Sequence, residues 1–232
     1  MEQLKHKNLF FWLWGLCLLG SLSLFPYMYY LGVLPPAAPL LKILLMGVLQ
    51  GAFLFGLICY LSYKIVPKTD LHPFAIANVW KQVVYPGVIA GAAAGLIIFT
   101  LDKTVFQSSM LSGVHPPFWA GALASIYGGV NEEVLLRLFL FTLVYFLFRK
   151  CVKNNRLAVL WITNILVAVV FGLGHLPAAF KLVAPSSFEV FRVLLLNGIP
   201  GIVFGWLYWS RGLWAAIAAH FMTDLMIHVF LV

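Results

Sequence analysis

Long apolar runs alternate with short polar ones along the whole chain. Runs of the roughly 20 residues that cross a bilayer as a helix fall at 9–31, 39–63, 83–101, 118–148, 156–175, 191–209 and 212–231. They predict seven spanning helices. The fourth run is too long for one upright helix, since at 1.5 Å per residue it reaches about 46 Å. Either it extends past the bilayer, or Gly128-Gly129 breaks it into a short segment and a longer helix, which makes eight spans. Within the polar loop 64–81, the stretch 71–80 predicts a short interfacial helix. Gly91, Gly95, Gly121, Gly128, Gly198, Gly201 and Gly205 fall inside runs, where small residues let membrane helices approach closely. Asn197-Gly-Ile-Pro200 predicts a kink in the sixth span. No repeat, low-complexity tract or soluble domain interrupts the pattern. The expected fold is an all-α polytopic transmembrane helix bundle in one membrane domain, 1–232, with N-terminal spans over 1–115 and the remaining spans over 116–232.

The basic residues refine this picture. Lys5 and Lys7, then Lys64, Lys68 and Lys81, then Arg149, Lys150, Lys153 and Arg156, then Arg211 fall on alternate loops. The loops between them hold Pro35-Pro36, Asp102 with Lys103, and Lys181 with Glu189. Cytoplasmic loops are the ones enriched in Lys and Arg, so the pattern places the N-terminus in the cytoplasm and the chain in the cell membrane. The first run lacks a small-residue cleavage site after a short apolar core, and it reads as a retained anchor rather than a signal peptide. Composition agrees: 63% of residues are hydrophobic, 9% are charged and the mean hydropathy is +0.99. A net charge of +8 spread over short loops fits membrane topology and not a nucleic-acid surface. Cys17, Cys59 and Cys151 are widely spaced and read as small apolar residues.

Against this background, Glu132-Glu133-Val-Leu-Leu-Arg137 is anomalous. Each charge at the centre of a spanning helix costs about 2.5–3.5 kcal/mol on insertion scales, and here three fall within six residues. Asp224, His175 and His220 also lie in or at the end of runs. Glu133 and Arg137 are four apart, so on a helix they share a face and pair. Glu132 points about 100° away and keeps no local partner. A carboxylate taken out of bulk water is suited to act as a general base on water. His220, Asp224 and His228 recur every four residues as a stripe, with His228 near the interface. Phe171-Gly-Leu-Gly-His175 places a histidine at a helix end, followed by Pro177. Two histidines and one or two carboxylates converging from three helices can hold a water and stabilise an oxyanion, or can ligate zinc. Ser125 lacks the context of a serine nucleophile and no cysteine neighbours the polar set, which disfavours covalent catalysis.

Three motifs in order carry a family resemblance: Glu132-Glu133…Arg137 preceded by Gly128-Gly129, then Phe171…His175, then His220…Asp224. The chain resembles the CPBP family, which comprises the type 2 CAAX prenyl proteases and the bacteriocin-processing, or Abi, proteins. The resemblance covers about 100 residues of the C-terminal half, so 116–232 becomes the CPBP-like core. It implies an intramembrane glutamate-dependent endopeptidase, with no cofactor and no metal. Glu132 and His175 would activate a water, while His220 and residue 224 would form the oxyanion side. Glu133 would belong to the catalytic set, with Arg137 and Phe171 as its support. The best-understood CAAX proteases carry Asn where this chain has Asp224, and an ionised Asp cannot donate to an oxyanion. Asp224 must then be protonated, orient His220 or bind a metal. The implied substrate is a peptide or protein segment at the membrane. Prenylated CAAX substrates suit a bacterial chain poorly, where pheromone, bacteriocin or leader processing is more natural. Three rival readings use the same residues: a zinc protease holding its metal with His175, His220 and a carboxylate; a non-proteolytic scaffold or regulator; and a transporter with a proton relay.

Overall fold

Helices are the only regular elements in the computed structural model, which describes residues 2–34, 39–74, 76–111, 115–184 and 186–231, with side chains from Asn8 onward. The Pro35-Pro36 loop lies outside the described residues. In chain order the helices are α1 (Glu2–Ser23), α2 (Phe25–Tyr30), α3 (Leu40–Ile65), α4 (Tyr85–Thr104), α5 (Phe118–Ile126), α6 (Thr142–Cys151), α7 (Arg156–Leu182), α8 (Ser187–Arg211) and α9 (Leu213–Leu225). Six helical stretches among the described residues are long and apolar enough to cross a membrane: Asn8–Tyr30, Leu40–Lys68, Trp80–Thr104, Arg156–Leu182, Ser187–Arg211 and Leu213–Phe230. The charged run 118–151 is helical throughout and lies among them, carried by α5, two π-helical segments and α6. The protein is a multi-pass membrane protein built as an all-α bundle.

The helix ends follow local chemistry. Asn155 adopts the left-handed conformation (φ 59°), and its side chain accepts a bond from the Ala158 amide to start α7. Ser186 caps α8 through the Glu189 amide. Gly212 joins α8 to α9 with φ of 98°, in a turn so tight that a Cβ there would press on the Pro73 carbonyl. That same carbonyl accepts from the Leu213 amide at 2.8 Å. The stretch 71–80 is therefore a strap against the α8–α9 corner and not the interfacial helix expected. Its described residues are turns, a bend and irregular backbone up to Asn78, whose side chain accepts from the Lys81 amide at 3.0 Å. Pro73 cannot donate to a helical ladder, and its carbonyl is already used elsewhere.

Inward faces are apolar and close-packed. Leu13, Phe141, Leu160, Phe204, Leu207 and Leu213 are fully buried, and outward faces remain as apolar as the core, with Phe53 77% exposed. Apolar exposure on that scale is what lipid contact requires. The glycines at 91, 95, 121, 128, 201 and 205 each face a neighbouring helix at a distance that leaves little or no room for a side chain. Gly198 does not, because nothing lies within 4 Å of a Cβ added there. α8 continues through Pro200, and α7 continues through Pro177 to Leu182, so His175 sits inside a helix rather than at its end.

The helices run alternately up and down, and this gathers the basic loops at one end. The Arg156 guanidinium and the Tyr145 hydroxyl both donate to Asp70, at 2.7 and 2.6 Å. Arg211 reaches the Lys81 carbonyl at 3.5 Å, and Phe10 near the start of α1 packs edge-on against Tyr63 and Phe74. At the opposite end Arg192 pairs with Asp102 at 2.7 Å, and Glu189 accepts from Ser109 and the Met110 amide.

Asp70 makes the basic end pH-sensitive. Burial alone would raise its carboxyl, but the bonds from Tyr145 and Arg156 outweigh this and hold it below the usual aspartate range. Its contribution is therefore present above the unfolded-chain value near ~4 and is lost as pH falls through the lowered folded value. The difference in melting temperature between the parent and Asp70→Asn, measured in detergent, should narrow below about pH 4. Because the side chains of Arg156 and Asp70 are 45% and 49% exposed, the difference at neutral pH should stay within ~1 kcal/mol.

Candidate active site

Gly128-Gly129 do not break the long helix. From Tyr127 to Glu132 the backbone widens into a π-helix, and after Glu133 it does so again over Val134–Phe141. π-Turns usually appear singly and at functional sites, so two flanking Glu133 mark the segment. The glycines serve α9 instead. A Cβ at Gly128 would run into the Asp224 carboxylate, and one at Gly129 would touch Phe221. The two glycines thus let α9 lie against this helix with His220 and Asp224 on the shared face. Asn131, fully buried, turns the other way and donates to the Cys17 carbonyl at 2.8 Å and to Ser21 at 3.0 Å, which fastens the segment to α1.

One carboxylate organises the centre. Glu133 Oε1 takes the Arg137 guanidinium at 3.0 Å and the His220 Nδ1–H at 2.8 Å, and all three side chains are buried. Arg137 also donates to the Gly201 carbonyl at 2.8 Å, and its guanidinium lies 5.3 Å from the Phe171 ring centre and 5.5 Å from that of Phe204. Both rings are within cation–π range. Phe204 stacks on the His220 ring at 4.5 Å and 21°, while Phe171 meets it edge-on at 5.5 Å. The imidazole is therefore fixed in position, orientation and Nδ1–H tautomer by groups from three elements.

The other ring nitrogen faces two more carboxylates. His220 Nε2 lies 3.6 Å from Glu132 Oε2 and 3.7 Å from Asp224 Oδ1. Unlike Glu133, Glu132 and Asp224 keep part of their side-chain surface accessible, 21% and 15%. They stand in the wall of a cavity of about 520 Å³, which His175 and His220 also line. His175 arrives from α7. Its Nδ1–H donates to the Phe171 carbonyl at 2.9 Å and its ring meets that of Phe171 edge-on at 4.8 Å. With Nδ1 so engaged, a neutral His175 carries its lone pair on Nε2. The set offers carboxylates, imidazoles and a cavity large enough to admit water, which is what addition of water to a carbonyl needs.

All the residues singled out from the motifs meet here: Glu132, Glu133, Arg137, Phe171, His175, His220 and Asp224. The expected Glu133–Arg137 pair is formed. His228, expected at the interface, instead lines the cavity, because a terminal π-turn over Met226–Phe230 carries it against Gly121 and its Nδ1 lies 3.2 Å from the Tyr27 hydroxyl. A zinc set is not assembled: among the described residues no three His, Cys, Asp or Glu side chains converge at metal-ligand spacing. Three contributors had no signal in the sequence: the Glu133–His220 bond, which joins residues 87 apart, the Asn131 tether, and Phe204 under the imidazole.

The central pair sets a stability test. Removing one partner of a buried ion pair leaves an uncompensated charge and costs about 3–5 kcal/mol. Arg137→Met should therefore lower stability by about that amount in thermal melts of the detergent-solubilised protein. Glu133→Gln combined with Arg137→Met should lose less than the Arg137 change alone.

Comparison with known proteins follows the same motifs. A family model described as type II CAAX prenyl endopeptidase, Rce1-like, matches residues 114–226. That span contains Glu132, Glu133, Arg137, Phe171, His175, Phe204, His220 and Asp224, while His228 of the cavity wall lies just beyond it. No curated protein and no solved structure matches the chain. The matched region, which carries the three motifs, is thus similar to the Rce1-like type II CAAX prenyl endopeptidases.

Proposed function

We propose that this protein is an intramembrane endopeptidase that hydrolyses a peptide bond of a membrane-associated peptide or protein with a water activated by Glu132. The observation that carries this reading is the division of labour around His220. Glu133, itself braced by Arg137, holds the ring Nδ1, which leaves Nε2 turned toward two accessible carboxylates at the cavity wall. Separations of 3.6 and 3.7 Å are too long for direct hydrogen bonds, and they suit groups that share an intervening oxygen.

In this mechanism Glu132 and His175 Nε2 polarise a water whose oxygen bonds to the substrate carbonyl carbon. The water proton passes to Glu132. The developing oxyanion is met by His220, which in its imidazolium form donates through Nε2–H. On collapse the carbon–nitrogen bond breaks, and the proton held by Glu132 is delivered to the departing amine. Asp224 donates to the same oxygen only as the neutral acid. Substrates would be peptide segments that reach the cavity from the membrane, and the family's Cys-aliphatic-aliphatic-X termini are one class to test.

Cleavage can be followed by mass spectrometry on purified protein in liposomes, with unmodified and farnesylated Cys-aliphatic-aliphatic-X peptides. Glu132→Gln should lower turnover by about 10²–10⁴-fold, with insertion and melting like the parent. Full turnover by that variant would rule Glu132 out as the base. Asp224→Ala should lose about 10²–10³-fold, the effect of one oxyanion donor. Asp224→Asn, whose amide donates without a proton, should recover activity. Failure of Asn with retention by the parent would assign Asp224 to orienting His220 instead.

A further inference from the structure

The cavity that holds Glu132 has a direction. Its lining runs from one end of the bundle to about mid-depth, reaching Phe204 on α8. It takes the end of α2 at Leu31, the end of α4 at Asp102 and Lys103, the end of α7 at Leu182 and the beginning of α8 at Arg192. From there it extends inward to Glu132 and His220. The basic end contributes nothing to its lining. The loops 64–81 and 149–156, the Arg211 corner and the start of α1 all lie at that far end, as the Asp70–Arg156, Arg211–Lys81 and Phe10–Phe74 contacts require.

The charge difference between the two ends is large. The basic end collects Lys64, Lys68, Lys81, Arg149, Lys150, Lys153, Arg156 and Arg211, with Lys5 and Lys7 on the first turns of α1, against the acids Asp70 and Glu2. The cavity end has Lys42, Lys103, Lys181 and Arg192, and Arg192 is neutralised by Asp102. Short loops rich in Lys and Arg stay in the cytoplasm, and it is this bias, not net charge, that fixes orientation.

We infer that the active-site cavity opens on the extracytoplasmic side of the membrane, so that the enzyme cuts peptide segments presented there. The inference rests on the proteolytic reading for its substrate, although the direction of the mouth stands without it. Beside the charged rim of Asp102, Lys103 and Arg192, the mouth carries apolar walls from Met28, Leu31, Val33, Phe99, Leu182 and Ile227. They suit an apolar stretch of chain entering from the outer leaflet or its interface. A substrate of this kind has to be supplied by export or membrane insertion, and the product is released outside. A carboxy terminus lipidated in the cytoplasm would arrive at the wrong end.

The native cysteines make the test direct. Cys17 and Cys59 are buried, while Cys151 is exposed at the basic end. In spheroplasts expressing the full chain, a membrane-impermeant maleimide should label Cys151 only after permeabilisation. In a Cys151→Ser background, Lys103→Cys at the cavity rim should be labelled in intact spheroplasts. So should Gly174→Cys, which lines the cavity and has nothing within 4 Å of the added Cβ. A permeant maleimide confirms that each thiol is reactive in the folded protein. Labelling of Cys151 in intact spheroplasts, or shielding of either introduced cysteine until permeabilisation, overturns the inference. The readout requires no cleavage, so an inactive but correctly labelled protein would refute the protease and leave the direction of the mouth intact.

Discussion

The bond between the Glu133 carboxylate and the His220 imidazole is the contact on which the rest of the structure depends. Each partner is expensive in lipid, and each is tolerated only because the other is there. Arg137 completes the set from one turn away, and Phe171 and Phe204 close it from α7 and α8. Four elements are thereby drawn to one point. Their approach in turn dictates glycine at 128, 129 and 201, where a larger residue would hold the helices apart. Packing and electrostatics are not separate achievements here, since the glycines make the close approach that the charges demand.

This arrangement separates the carboxylates by role. Glu133 is sealed and spends its charge on Arg137 and His220. Glu132, the next residue, reaches the cavity. On an ideal α-helix, neighbours differ by about 100° in direction, which already sends them to different surroundings. The π-turns on either side of Glu133 shift the register further. Asn131 then holds the widened segment against α1, so a span outside the matched region helps to set the angle at which Glu132 enters the chamber.

Much of this was legible in the sequence because charge in an apolar run is costly and therefore informative. Glu132, Glu133, His175, His220 and Asp224 stand out from their surroundings without any structure, and the four-residue spacing of Glu133 and Arg137 sufficed for their pairing. Alternating basic loops likewise foretold which ends of the helices lie together. Other features left no trace. A π-turn adds one residue to a turn and changes no hydrophobic pattern within a uniformly apolar run. Pro73 looked like the interior of an amphipathic stretch, yet its carbonyl is claimed by the α8–α9 corner. His228 looked interfacial because it lies near the end of its run, and only the terminal π-turn carries it inward. Gly198 matched the small-residue pattern of its neighbours but faces open space, a distinction that depends on what lies opposite.

The 87 residues between Glu133 and His220 also bear on how the protein is made. When the helix bearing Glu133 leaves the ribosome, α7, α8 and α9 have not been synthesised. Arg137 can neutralise Glu133 at once, but Glu132 has no His220 beside it, and the guanidinium has no Gly201 carbonyl, until those helices follow. The nascent segment is thus poorly suited to release into lipid by itself. In this chain the charges that build the cavity meet their full set of partners only after the last helix has been made.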